Sequence, residues 1–364
     1  MVGPRYTASD FRIDRAPWHN GEAYSLETSA PSNIALIKYW GKQEGQLQRP
    51  LNPSLSLTLD KSRTFTSARL RPSDTPGRDI RFRFYLDDRH QPDFEPKIAR
   101  FFERIKPYAP YIEAFEWEIR SRNTFPHGSG IASSASGFAA LAKLVMQLEE
   151  ALLGPLEEDY KLAKTSFLAR LGSGSAARSV AAPAMIWGRH PLVQGSTDEY
   201  AIRLPFALPE AFGRLRDTIL LVDSGQKAVS STEGHRLLEN HPYREARIRQ
   251  ANEHFALLLE ALRQGDWNTL GRITEAEALS LHGLMMTSSP YYILMKPLTL
   301  EIIQKLWEWR GQNNLPVYFT LDAGANVHLI YPDEVAGSVR EWLEKNFTRL
   351  IQNNAFIDDK IIIN

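Results

Sequence analysis

Alternation of apolar and polar residues is the dominant pattern in the first half of the chain. It covers residues 63–71, 79–86 and 115–120, and a period of two residues is typical of half-buried β-strands. Residues 97–106 instead place their apolar side chains on one helical face. Strands that keep their alternation although helices interrupt them favour an α+β fold over a parallel doubly wound sheet.

Helical periodicity marks much of the remaining chain, with short apolar runs between the helices. The predicted elements are helices at 156–171, 244–264, 270–281, 300–312 and 333–350, and strands at 34–40, 218–222, 316–331 (two strands and a tight turn) and 356–363. Turn formers at 195–209 suggest a boundary between domains at 1–205 and 206–364. Residues 1–27 lack periodicity, so we expect an irregular arm there.

Composition restricts the class of protein. A chain of 364 residues with 43% hydrophobic and 24% charged residues is long enough for two globular domains. Basic and acidic residues both number 43, so no bulk charge attracts nucleic acid or a membrane surface. Cysteine is absent, which excludes disulfides and thiolate sites. No apolar run approaches the ~20 residues of a membrane span, and the polar N-terminus is unlike a signal peptide, so we expect a cytoplasmic protein.

The stretch at 126–142 has the strongest functional signal. It contains three glycines and four serines and continues into an apolar helix. Such a loop directs backbone N–H groups and the positive end of the helix dipole at one point, which suits a phosphate. Ser133, Ser134 and Ser136 lie at its mouth. The alternative is an ordinary loop that caps a buried helix.

Single charged residues occur where strands and turns are predicted. Lys38 lies in the apolar strand at 34–40, so it needs an anion nearby or must extend along an apolar wall to water. Lys42 follows a turn glycine and is either a phosphate ligand or a solvated turn residue. Asp322 ends a strand and is either functional or a turn aspartate. Asn33 either orients a polar group or caps the turn, and the sequence alone does not decide between the two.

A second small-residue turn occupies residues 172–179. Its sequence matches the glycine pattern of a dinucleotide-binding fingerprint, but a helix precedes it where that fold requires a strand. We therefore reject a dinucleotide-binding site here. Arg178 in this turn has a planar fork that suits a carboxylate or a phosphate. The alternative is a helix C-terminal cation or a surface salt bridge.

Taken together, these motifs resemble those of the diphosphomevalonate decarboxylases within the GHMP kinase superfamily. The resemblance extends in order from about residue 31 to about residue 331. The matching segments are SNIALIKYWGK (32–42), NTFP (123–126), GIASSASG (130–137), GSGSAARS (172–179) and DAGAN (322–326).

The resemblance implies a two-domain GHMP kinase fold of the α+β class. An N-terminal ribosomal-protein-S5-like, ATP-binding domain and a C-terminal ferredoxin-like domain would enclose the active site between them. The implied reaction is ATP-dependent decarboxylation of mevalonate 5-diphosphate to isopentenyl diphosphate through transient 3-phosphorylation, with release of ADP, phosphate and CO2. ATP and Mg²⁺ are the implied cofactors, and a cytoplasmic homodimer without nucleic-acid or membrane partners is the implied form.

The resemblance also implies roles for individual residues. Asp322 would act as base or orienter for the 3-hydroxyl, Lys38 would balance charge beside it, and Arg178 would hold the substrate carboxylate with Asn33 nearby. The diphosphate would contact Tyr39, Lys42, Ser173 and Ser175. The ATP phosphates would contact Gly128, Gly130, Ser133, Ser134 and Ser136. Mg²⁺ would accompany ATP near Ser134, without a dedicated protein site.

Two positions depart from the family pattern. Ala325 replaces a proline after Gly324, and this would loosen the turn. His235 occupies a position where we expect methionine, and this puts the substrate in question. The alternatives are therefore a sister enzyme that decarboxylates mevalonate 5-phosphate or only 3-phosphorylates mevalonate, and a non-catalytic binding protein on the same scaffold.

Overall fold

Eleven strands and nine α-helices are found in the computed structural model, which describes residues 3–13, 21–45, 47–75, 80–126, 131–223, 225 and 229–361. The strands are β1 (Tyr24–Ile37), β2 (Ser54–Pro72), β3 (Phe82–Leu86), β4 (Arg89–His90), β5 (Phe115–Asn123), β6 (Ala184–Trp187), β7 (Ile202–Arg203), β8 (Leu215–Leu220), β9 (Tyr318–Thr320), β10 (Val327–Pro332) and β11 (Phe356–Lys360). The helices are α1 (Glu95–Ile105), α2 (Ser133–Leu153), α3 (Glu158–Gly172), α4 (Ser231–Leu237), α5 (Arg244–Gln264), α6 (Trp267–Met286), α7 (Pro297–Asn313), α8 (Ala336–Asn346) and α9 (Thr348–Gln352).

The strands form two sheets, one in each half of the chain. The first has the order β4-β3-β5-β2-β6-β7, with β1 paired to β2, and the second has the order β11-β8-β10-β9. Every pair is antiparallel except β3 with β5. The predicted α+β class is confirmed, because antiparallel strands with one covered face keep the alternation found in the sequence.

The N-terminal region differs from the expected irregular arm. β1 already begins at Tyr24 and pairs with β2 from that residue onward. Phe11 is fully buried, with its ring against those of Tyr160, Phe167 and Tyr200. A single aromatic residue buries enough apolar area to anchor an aperiodic segment, and a periodicity search does not detect it.

The helix predicted at 333–350 is divided in two. Phe347 leaves the helical conformation between α8 and α9, with φ −134° and ψ 43°. Its ring is buried edge-on against Trp342 at 5.3 Å. The gain from burying this aromatic side chain offsets the break in the helix.

An apolar core and a buried carboxylate join the two halves. One cluster of fully buried residues includes Ile34 and Leu57 from the first half and Ile219 and Phe255 from the second. The carboxylate of Asp359 on β11 accepts hydrogen bonds from three consecutive backbone N–H groups of β2, at residues 60 to 62, over 2.7–3.1 Å. The halves are thereby held in a fixed relation, which matters because the candidate site lies at their junction. The domain boundary at 205/206 stays a prediction.

In the part of the chain that the structure describes, no helix is long and apolar enough to cross a membrane.

Candidate active site at the junction of the two halves

Lys38 and Asp322 meet across the junction. Lys38 follows β1, and Asp322 lies in the turn between β9 and β10. Lys38 Nζ is 3.0 Å from Asp322 Oδ1 and also donates to the carbonyl of Ala35 at 2.7 Å. The side chain of Lys38 is 2% exposed and that of Asp322 is 25% exposed. Burial lowers the pKa of Lys38, and the Asp322 carboxylate opposes this shift. Because only the Asp322 side chain is partly exposed, the pair presents its carboxylate, not its ammonium, to a ligand.

A second carboxylate, which the sequence did not reveal as functional, fixes the backbone of Lys38. Glu277 on α6 is fully buried and accepts the Lys38 backbone N–H at 2.9 Å. Arg247 on α5 donates to both Glu277 oxygens, and His254 Nδ1 lies 2.7 Å from one of them. Burial raises the pKa of Glu277, but Arg247 and the hydrogen bonds lower it to about 2. The only signal in the sequence is a glutamate within the apolar stripe of a helix.

Arg178 is a buried cation without an ion-pair partner among the described residues. Its guanidinium donates to Ser54 Oγ at 2.7 Å and to Ser56 Oγ at 3.1 Å, and lies over the Trp187 ring. Burial lowers its pKa to about 10, while the charge of Asp322 opposes the shift. A guanidinium whose hydrogen bonds to described residues go only to hydroxyls is suited to receive a ligand carboxylate.

The turn that carries Arg178 is held by Asn33. Asn33 Nδ2 donates to Ser179 Oγ at 2.7 Å and to the carbonyl of Ser175 at 3.4 Å. Asn33 itself is almost fully buried. Its amide therefore orders the turn that positions Arg178.

Three hydroxyls from two separate segments lie together. Ser134, in the first turn of α2, is 3.5 Å from Ser173 between their Oγ atoms, and Ser173 is 3.4 Å from Ser175. Ser133 is the first residue of α2, so the free N–H groups of this helix lie beside the hydroxyls. The two serine-containing turns of the sequence thus form one polar surface.

Other members of the predicted phosphate loop are placed differently. Ser136 is fully buried, with its hydroxyl 2.6 Å from that of Thr64, so it packs behind α2 and not on the polar surface. Helical periodicity explains this, because residue 136 lies on the inner face when residue 134 faces outward. Gly128 and Gly130 lie outside the described residues.

Tyr39 has a buried hydroxyl without a hydrogen-bond partner among the described residues. Such groups are rare in folded proteins, and this hydroxyl is available to bind a ligand. Gly174 leaves room for this hydroxyl, because a Cβ there would lie 2.7 Å from the tyrosine oxygen. Burial raises the pKa of Tyr39, so the group is a neutral donor. Lys42 lies nearby in sequence, and burial lowers its pKa.

His235, the departure from the family pattern, lies inside this region. Its Nδ1 accepts the backbone N–H of Gly41 at 2.8 Å, and its ring lies 4.5 Å from that of Tyr39 and 4.6 Å from that of Trp40. Burial lowers its pKa well below 6.5, and the charge of Lys42 acts in the same direction. A neutral imidazole therefore joins α4 to the turn that carries Tyr39 and Lys42.

The turn that carries Asp322 has hydrogen bonds to neighbouring segments, and Ala325 occupies the position of the expected proline. The carbonyl of Ala325 accepts a hydrogen bond from Thr299 Oγ1 at 2.6 Å, and Asn326 Oδ1 accepts the backbone N–H of Asp223 at 2.9 Å. His282 Nε2 lies 3.1 Å from the carbonyl of Asp322. These contacts come from α6, α7 and the segment after β8, and they tie the turn to all three.

Comparisons with known proteins identify the family of the chain. One family profile, the diphosphomevalonate decarboxylase-like N-terminal domain, matches residues 30–197, and another, the mevalonate 5-diphosphate decarboxylase C-terminal domain, matches residues 218–362. The chain belongs to the diphosphomevalonate decarboxylase family. A diphosphomevalonate decarboxylase of Ganoderma lucidum is 31% identical over 348 residues, covering 89% of this chain and 82% of that one. The resemblance expected from the motifs is thereby confirmed.

Solved structures of the decarboxylase family share the fold. Mevalonate diphosphate decarboxylase from Staphylococcus aureus superposes with a TM-score of 0.79 at 29% identity, over 94% of this chain and 96% of that chain. A structure described as MDDEF in complex with MVAPP, AMPPCP and magnesium gives a TM-score of 0.78 at 28% identity, over 93% and 97%. The two-domain fold predicted for this chain is therefore confirmed.

Among the described residues, no group of three or more histidine and carboxylate side chains could hold a metal ion. The hydroxyl of Ser134 at the start of α2 fits a different arrangement, in which a Mg²⁺ ion is held mainly by phosphate oxygens and takes few protein ligands.

Proposed function

We propose that this protein decarboxylates mevalonate 5-diphosphate to isopentenyl diphosphate at the expense of ATP, with release of ADP, phosphate and CO2. The observation that carries the proposal is the partly exposed Asp322 beside the buried cations Lys38 and Arg178. One carboxylate and two cations suit a substrate that presents a hydroxyl and a carboxylate on neighbouring atoms. Family membership supports the same reaction.

Asp322 accepts or orients the proton of the 3-hydroxyl while the oxygen attacks the γ-phosphate of ATP. The 3-phosphate then leaves with the electrons of its bond to C3. The electrons of the bond between C1 and C2 form the new double bond between C2 and C3, and C1 departs as CO2. Arg178 holds the carboxylate before this step, and Lys38 keeps Asp322 in place. Fixed charges of this kind stabilise a dissociating transition state.

The ATP phosphates lie at the start of α2, where free backbone N–H groups and the helix dipole favour anions. Ser133 and Ser134 contact them from the first helical turn, while Ser136 supports the helix from behind through Thr64. The Ser134 hydroxyl would be the protein contact of a Mg²⁺ ion bound with ATP, and this ion would neutralise charge on the phosphates. The diphosphate of the substrate lies on the other side of the serine surface, against Tyr39, Lys42, Ser173 and Ser175.

A sister reaction on mevalonate 5-phosphate is the second candidate, because His235 departs from the family pattern. The Tyr39 hydroxyl, which has no partner among the described residues, and the serine surface favour the larger anion. We would measure CO2 and ADP with ATP–Mg²⁺ and each of mevalonate, its 5-phosphate and its 5-diphosphate. Equal amounts of both products from the diphosphate alone are expected. The same result with the monophosphate would assign the sister reaction to this protein. ADP without CO2 would indicate a kinase, and no turnover with any of the three compounds would indicate a binding protein.

We also propose that the protein acts in the cytoplasm as a homodimer, as the family resemblance suggests. ATP, its co-substrate, is an intracellular metabolite. Light scattering on the purified protein should give twice the chain mass of 41.3 kDa, and the mass of a single chain would contradict the dimer. Fractionation of the source cells tests the location.

A further inference from the structure

Arg104 is a cation whose hydrogen-bonding capacity is mostly unused. It lies in the last turn of α1, is half-buried, and donates from Nη1 to the carbonyl of Leu171 at 2.8 Å. That is its only hydrogen bond to any described residue, although a guanidinium has five N–H donors. No described carboxylate lies within ion-pair distance of it. A role limited to capping α3 would not require a charged fork.

The contact with Leu171 places Arg104 beside the proposed diphosphate surface. Leu171 precedes the turn that contains Ser173 and Ser175, and a Cβ on the intervening Gly172 would clash with Phe138 and Phe101, the latter one turn before Arg104 on α1. α1 is therefore packed directly against the start of this turn.

The loop that carries Lys42 lies on the same end of α3. Arg170, next to Leu171, donates from Nη1 to the carbonyl of Leu47 at 2.6 Å. After burial, the charge of Arg104 is the largest influence lowering the pKa of Lys42, and only the more weakly acting Glu239 opposes it. Lys42 has no ion pair with a described carboxylate either. The corner formed by Arg104, Lys42 and the start of the serine turn therefore carries two cations, and neither has an ion pair with a described carboxylate.

Like charges that lie close together without a counter-ion repel each other, so such a corner is most stable with an anion bound. An arginine fork recognises phosphate oxygens through paired hydrogen bonds, while lysine acts as a point charge. We propose that Arg104 binds the outer phosphate of the substrate diphosphate, together with Lys42, and thereby selects the diphosphate over the monophosphate. This inference rests on the proposed function.

The test compares Arg104→Gln with the wild type and with Lys97→Gln, which removes a positive charge from the exposed first turn of the same helix. A charge-assisted hydrogen bond corresponds to roughly 10- to 100-fold in affinity. We therefore expect Arg104→Gln to raise KM for mevalonate 5-diphosphate by about that factor, with kcat and the KM for ATP within about twofold of wild type. Lys97→Gln should behave like the wild type, and Arg104→Lys should recover part of the loss.

Calorimetry provides a readout that does not depend on turnover. Inorganic pyrophosphate should bind Arg104→Gln at least about tenfold more weakly than the wild type, whereas orthophosphate should bind both alike. Equal pyrophosphate affinity in a folded Arg104→Gln protein would overturn the inference. So would a parallel loss of kcat and of ATP affinity, since that would indicate a structural role through Leu171. If the wild type releases no CO2 from the diphosphate, the proposed function fails, and the pyrophosphate comparison still decides the role of Arg104.

Discussion

Replacement of Asp322 by asparagine removes the proposed base while leaving most of its surroundings intact. The amide keeps the shape of the carboxylate and an oxygen that can accept from Lys38 Nζ, which is 3.0 Å from Oδ1 in the native protein. Lys38 also keeps its bond to the carbonyl of Ala35. The cost in folding free energy should therefore be that of weakening one charged hydrogen bond, about 1–3 kcal/mol.

The loss of activity should be much larger than this structural cost suggests. A positioned general base contributes about 10²- to 10⁴-fold to the rate. We expect kcat of Asp322→Asn to fall by about 10³-fold, which corresponds to roughly 4 kcal/mol in the activation barrier. ATP affinity should stay near that of the wild type, because the nucleotide binds at the start of α2.

The assay is simultaneous release of ADP and CO2 at saturating ATP–Mg²⁺ and mevalonate 5-diphosphate, with urea unfolding to establish that the variant is folded. Asp333→Asn is the matched control, since Asp333 also pairs with a cation, Arg216, but does so at the far end of β10. We expect the control to keep full activity. A folded Asp322→Asn protein with kcat within tenfold of wild type would refute the assignment of Asp322 as the base.

Three further changes test other parts of the site. Arg178→Gln should lower CO2 formation by about 10²-fold or more, since hydrogen bonds to charged groups are worth about 1.5–3 kcal/mol, while ATP binding persists; an unchanged rate of CO2 release would mean that the carboxylate is held elsewhere. Ser134→Ala should raise KM for ATP or lower kcat by about fivefold, and no change in either would leave the loop a purely structural cap. His235→Met should remove part of the loss of folding stability that the wild type shows at acidic pH. The His235 imidazole takes up a proton below pH 6.5 only in the unfolded chain, because burial lowers its pKa in the folded protein. Its protonation should therefore lower the stability of the wild type by up to about 1.4 kcal/mol at pH 5.5. Urea unfolding at pH 7 and pH 5.5 should show a smaller drop in the variant, and equal drops in both proteins would contradict this.

Local pattern was sufficient for most of the secondary structure and for the motif residues. The helix expected at 244–264 is α5 to the residue, and the alternating stretch at 63–71 lies within β2. Periods of two and of 3.6 residues report which side chains are buried, and burial is what stabilises each element. The matching segments could be recognised because each depends on residues that are adjacent in the chain.

Partnerships between distant residues were decided only by the tertiary structure. Lys38 and Asp322 are 284 positions apart, and Lys38 and Glu277 are 239 apart. Their contacts depend on how the two sheets and α6 are arranged around a shared core, and no local period carries that information. Arg104 was overlooked for the same reason, since a basic residue near a helix end looks like a solvated one until the helix is packed against the serine turn.

Burial that does not follow a periodic pattern could not be predicted from the sequence either. Phe11 anchors the N-terminal segment by the packing of one aromatic ring, and Ser136 turns away from the polar surface because the helix rotates it inward. The sequence by itself therefore determined the elements, the family and the residue types available for the chemistry. Which of those residues face one another, and which charges remain without a partner, was decided by long-range packing, because hydrophobic burial is non-directional and only the assembled core selects one set of contacts.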